Sequence, residues 1–170
     1  RLITSLVCIA LGAISASALA YNAPGIKWPR SKLPVVWEMT SGGSTDLGES
    51  ASFDLLKRSC ASWSSVCCTY LTFGAGSITT SKSRDTSDTR NILQWLEQSW
   101  PADLGDGDSV LGVTMPAYWN NNELFDADIV FNGVDHTWDQ TGRYPKVDAQ
   151  SIATHEIGHL LGLNHSQYQA

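Results

Sequence analysis

Three imidazoles and one carboxylate near the end of the chain carry spacings with chemical meaning: His155-Glu156-Ile157-Gly158-His159-Leu160-Leu161-Gly162-Leu163-Asn164-His165. His155 and His159 are four positions apart. On a helix that is about 40° of rotation, so both rings leave one face a turn apart. Two neutral imidazoles held that way can bind one Zn²⁺ ion. Glu156 sits beside the first ring and cannot point with both; it can flank the ion and reach a water there, the place of a general base. Gly162 can take positive φ, stop the helix and turn the chain. That turn returns His165 as a third ligand. Three protein ligands leave a fourth position for water, the catalytic rather than the structural pattern, and zinc lowers the pKa of such a water to about 7. Glu156 could then take its proton as it attacks a carbonyl.

The short H-E-x-x-H pattern recurs by chance. The long form, H-E-x-x-H-x-x-G-x-x-H, fixes five residues and is far more specific. The bland alternative is an amphipathic core helix with stray histidines, and Ile152, Ile157, Leu160, Leu161 and Leu163 do read as core. Against it, the chain has four histidines and three of them fall in this register. The stretch matches the metzincin zinc-peptidase motif at every fixed position. Ser166, directly after the third histidine, resembles the matrixins, the matrix-metalloproteinase-like branch.

The elements that must position these groups follow from periodicity. Residues 21–32 read as an extended lead-in. Residues 33–39 read as a strand, with Pro34 placing its start at an edge. Phe53, Leu56, Cys60 and Trp63 fall at helical spacing, so 47–65 is expected as an amphipathic helix whose stripe is core, capped by Asp46 or Ser50. Short strands are expected at 69–73, 91–96 and 110–115, the last ended by Pro116. Residues 74–90 and 101–109 read as surface loops. Residues 124–132 alternate Ala127, Ile129 and Phe131 against Asp128, Val130 and Asn132, a further strand. Asp148 is placed to cap the histidine helix.

Composition bounds the rest. The chain has 170 residues, 42% hydrophobic, which suits one domain with one core. The net charge of −6, without a basic tract, argues against nucleic acid. Residues 1–20 read as a secretory signal: Arg1, an apolar run over 2–13, then Ser17-Ala18-Leu19-Ala20 as a cleavage site. A membrane anchor is the rival, but the run is short and broken by serines. An extracellular location is therefore expected. Cys8 leaves with the signal, and Cys60, Cys67 and Cys68 remain. An odd number leaves one thiol over. Cys60 with one of the other two, or a partner outside this sequence, stays open; the adjacent pair is not expected to bridge.

The matrixin resemblance spans about residues 27–166. It also rests on Trp28-Pro29, on the Trp63 helix leading to Leu71-Thr72-Phe73, and on Asp126-Ala127-Asp128-Ile129-Val130. It implies an α+β zincin-like catalytic domain over 21–170: a twisted mixed β-sheet, an N-terminal helix and the zinc helix beneath. It implies a monomeric endopeptidase acting on protein or peptide substrates, with zinc on His155, His159 and His165 and with Glu156 catalytic. Substrate would lie extended along a sheet edge, expected near 122–132. The family also carries a methionine turn after the third histidine and an inhibitory propeptide. Neither is found in these residues, and a C-terminally truncated sequence is the expectation. Asp103, Asp106 and Asp108, on a Gly-rich loop, are a calcium candidate; the family's structural use of calcium adds to it. A solvated turn is the plain alternative. Asp126, Asp128 and Asp135 form a second set, and His136 is a lone loop histidine. Asn164-His165-Ser166 spells a glycosylation sequon that a zinc-bound His165 would disfavour. No Gly-x-Ser-x-Gly elbow supports a serine hydrolase. Two other readings stand beside the peptidase: a non-catalytic zinc module, and a peptidase fragment without activity.

Overall fold

The computed structural model describes residues 21–165. The expected signal over 1–20, with Cys8, and the subfamily residue Ser166 lie outside the described residues. Nine strands and two α-helices follow in the order β1 (Tyr21–Asn22), β2 (Glu38–Thr40), α1 (Glu49–Ser64), β3 (Ser77–Thr79), β4 (Ile92–Leu96), β5 (Gly112–Tyr118), β6 (Leu124–Asn132), β7 (Trp138–Asp139), β8 (Val147–Asp148), α2 (Ala149–Leu160) and β9 (Asn164–His165). The main sheet has the order β3-β2-β4-β6-β5. Its pairs are parallel except for β5, which runs antiparallel to β6 along one edge. This is the mixed α+β architecture the sequence implies.

α1 packs on α2, and α2 lies against β5 and β6. Leu55, Leu56 and Cys60 of α1, Ala153, Ile157 and Leu160 of α2, and Ala127, Ile129 and Phe131 of β6 share one core. Trp37 and Trp138 are fully buried beside them. These apolar stripes are the periodic positions of the sequence, so helices and strands find one another by burial.

The edges of the elements differ from expectation, each for a local reason. The expected strand over 33–39 keeps only its end as β2; Val35 forms one isolated bridge, to Phe73, and that bridge is all that remains of the expected strand at 69–73. The Ser/Thr segment read as loop instead supplies β3, parallel to β2. Pro116 does not end β5. It sits opposite Ala127 on an edge strand, where a missing N–H leaves no sheet partner wanting. Helix α1 starts after Gly48, with no side-chain cap. Asp46 is diverted: its Oδ2 accepts from the Trp138 N–H at 2.8 Å. The expected sheet edge at 122–132 is corrected too. β6 lies between β4 and β5, and the edge strand on this side of the sheet is β5.

Candidate active site

Helix α2 begins at the residue expected to cap it. Asp148 Oδ1 accepts from the Gln150 N–H at 3.0 Å and also faces the Ser151 N–H, satisfying donors that the first turn leaves orphaned. Ala149, Ala153, Ile157 and Leu160 bury one stripe, which turns His155 and His159 toward the cleft between α2 and β5. The helix ends in a paired stop. Leu163 N–H donates to Gly158 O at 3.1 Å, and Gly162 N–H donates to His159 O at 2.8 Å. That is the Schellman pattern, with Gly162 at φ +92° in the left-handed position. A side chain at Gly162 would run into the carbonyl of Ile26 in the lead-in. The turn delivers β9, whose His165 lies opposite Tyr21 of β1. Two indoles pin the helix from outside: Trp28 Nε1–H donates to Leu160 O at 2.9 Å and Trp63 Nε1–H to Thr154 O at 2.8 Å.

The three imidazoles converge. Nε2 of His155 stands 3.0 Å from that of His165 and 3.1 Å from that of His159, and the third separation is 3.0 Å. They form the one group among the described residues whose ligand atoms lie close enough to hold a metal. Three points about 3.0 Å apart lie about 1.8 Å from their centre, inside a Zn–N bond of about 2.0–2.1 Å. One ion could therefore be held by all three Nε2 atoms, and the residues fit zinc. The ring chemistry agrees. His159 Nδ1 is 2.7 Å from the Leu163 carbonyl and donates to it, which leaves Nε2 with its lone pair toward the group. Burial, then the neighbouring His159 and His165, push the His155 pKa below its ordinary value. Neutral imidazole is the ligating form.

Glu156 is buried at 6% exposure. Its Oε2 accepts from Thr114 Oγ1 of β5 at 2.6 Å, and the same hydroxyl lies 2.9 Å from the Glu156 carbonyl. Gly112, next on that face of β5, leaves room for the carboxylate: an added Cβ would stand 3.1 Å from Glu156 Cγ. Burial raises the pKa of this carboxyl, opposed by the Thr114 hydrogen bond and by His159 and His165. The cleft is lined by Ile26, Leu111, Thr114, Pro116, Ile152 and Leu163 around these groups. Thr114 was invisible to sequence reasoning. Its role depends on a strand forty residues earlier crossing the helix, and only the small residues alternating at 112 and 114 hint at it.

The calcium candidates do not come together. Asp103 pairs with Arg84. Asp106 accepts from the Asp108 N–H and the Ser109 hydroxyl within its own turn. Neither these three residues nor the second set groups into a metal cluster among the described residues. Asp126 and Asp128 receive backbone N–H groups of the 84–92 segment, whereas Asp135 accepts from Asn132. His136 Nε2 lies 2.9 Å from the Gly107 carbonyl, a loop tie. Cys60 is buried, and burial pushes its thiol up to about 12. Cys67 and Cys68 are exposed, and all three are free.

A sequence model of the family described as Matrixin matches residues 27–170. The chain belongs to the matrixin family. A search of curated proteins returns no match. Matrixins are zinc-dependent metallopeptidases, and the histidine triad that such a metal needs is present here. The mixed sheet, α1 and α2 are those of a matrixin catalytic domain.

Proposed function

We propose that this matrixin is an exported zinc endopeptidase that hydrolyses internal peptide bonds of extended protein chains. One observation carries the reading: three imidazole Nε2 atoms within 3.1 Å of one another, with the buried carboxylate of Glu156 beside them, in a cleft walled by a free sheet edge. His155, His159 and His165 would hold Zn²⁺, which supplies Lewis acidity, lowering the pKa of a water and polarising a carbonyl oxygen. Thr114 fixes one carboxylate oxygen of Glu156 and leaves Oε1 as proton acceptor. Glu156 takes the proton of the attacking water as its oxygen bonds to the carbonyl carbon. It passes that proton to the amide nitrogen as the C–N bond breaks, so acid and amine products balance. The edge of β5 offers unpaired backbone groups to which an extended substrate can add as a strand. Export rests on the signal-like residues 1–20.

The test is metal content and peptide hydrolysis on protein beginning at Tyr21, with and without a chelator. One zinc per chain with chelator-sensitive cleavage is expected. Zinc without cleavage would point to a non-catalytic zinc module, and no zinc would overturn the metal centre itself.

A further inference from the structure

The strand β5 that meets the catalytic group continues beyond the cleft. Gly112 and Thr114 contact Glu156, and Pro116 lines the same cleft. Side chains alternate along a strand, so these three share the α2 side of the sheet. Cross-strand register carries that face onto β6, with Thr114 opposite Ile129 and Pro116 opposite Ala127. Phe125 falls outside this ladder, because Ala117 pairs with Asp126 and Tyr118 with Leu124. The ladder is bulged at Ala117/Tyr118, which bends and twists the hairpin tip. There Trp119 stacks on Phe125, with centroids 4.3 Å apart and planes 29° from parallel. Trp119 is 59% exposed and Tyr118 is 48% exposed. A flat indole backed by a second ring is a preorganised platform, and it stands at the far end of the strand that borders the catalytic cleft.

We propose that Trp119, supported by Phe125, is a distal substrate subsite that receives an aromatic side chain of the bound peptide. This rests on the peptidase reading of the cleft. From Val113, between the two residues that meet Glu156, to Trp119 is six positions, so the side chain received belongs to a residue about five or six positions from the scissile bond. Antiparallel pairing is the more stable per residue. An antiparallel peptide on β5 places its N-terminal part beside the hairpin tip, so that residue lies on the N-terminal side of the scissile bond.

The test measures binding, so that it does not depend on turnover. Zinc-loaded full chain carrying Glu156→Gln is titrated into fluorescently labelled peptides of one length, followed by anisotropy. One peptide carries Trp six positions before the scissile bond, a second carries Ala there, and a third carries Trp six positions after it. The first is expected to bind roughly twofold to tenfold more tightly than the others. That ratio falls to about one when Trp119→Ala is added and returns with Trp119→Phe, which also controls for folding. In the active chain the same ratio appears in KM and not in kcat. Equal affinities, an advantage that survives Trp119→Ala, a preference for the third peptide, or no binding at all would each overturn the subsite. An active chain that cuts nothing while the Trp preference persists sinks the peptidase reading and leaves the platform as a peptide site.

Discussion

Replacing Gly162 with alanine strikes the turn that carries His165 back to its two partners. Two separate penalties arise. Gly162 sits at φ +92°, and an L side chain there costs roughly 1–2 kcal/mol. Its Cβ would also meet the Ile26 carbonyl, which is backbone and cannot swing aside as a side-chain tip can. Relief requires the lead-in to retreat or the turn to open, for a total of about 2–4 kcal/mol. If the turn opens, His165 leaves the triad, and zinc affinity falls by about 30- to 700-fold at 1.4 kcal/mol per decade. If the lead-in moves instead, the strain appears as a lowered Tm, by about 4–16 °C for a chain of this size. The assay is zinc competition against a chromophoric chelator, with thermal unfolding in parallel. Gly42→Ala is the control, because Gly42 has φ +93° and open space where the Cβ would go. It should lose only the first penalty and keep zinc affinity. A Gly162→Ala protein indistinguishable from Gly42→Ala would refute the close approach to Ile26 as the constraint on the turn.

Thr114→Val removes the hydrogen bond on Glu156 Oε2 while keeping the side-chain shape. A bond to a charged group is worth about 1.5–3 kcal/mol, so kcat/KM should fall by about tenfold to a hundredfold with zinc stoichiometry unchanged; an unaltered rate would remove Thr114 from the mechanism. Asp126 has its pKa raised to about 7, first by burial and then by Asp128. The native carboxyl keeps a proton that the unfolded chain has lost, so between about pH 4 and pH 7 stability falls as pH rises, by up to about 1.4 kcal/mol per pH unit. Burial shifts Asp128 in the same direction. Denaturant titrations in chelator should show Asp126→Asn with a flatter profile than wild type, and parallel profiles would contradict the assignment. Cys67 and Cys68 should react with iodoacetamide in the native state while Cys60 stays unlabelled, since it is 3% exposed and its thiol is pushed up to about 12. Peptide mapping that finds Cys60 labelled equally would mean α1 does not pack as described.

Much of the site was legible because it is local. The His155, His159, Gly162, His165 spacing states a helix, a stop and a return, and the Schellman bonds at Gly158 and His159 deliver them. The α1 stripe was legible for the same reason: Leu56 and Cys60 are one turn apart and both are buried. What sequence reading missed depends on partners distant in the chain. Asp46 looked like a helix cap, but Trp138, ninety-two residues on, takes its carboxylate. Pro116 looked like a strand end, yet a proline is tolerated where the strand is an edge, and edge status belongs to the topology. Asp103, Asp106 and Asp108 read as a calcium candidate or a solvated turn; their partners, Arg84 for Asp103 and the Asp108 N–H for Asp106, appear only once the chain is folded.

The most direct test of the central claim is Glu156→Ala in zinc-loaded protein, scored for metal content and peptide cleavage together. The three histidines would hold the ion without the carboxylate, so one zinc per chain is expected, with cleavage reduced to near background. Cleavage that survives the substitution would contradict the role given to Glu156, and with it the proposed mechanism.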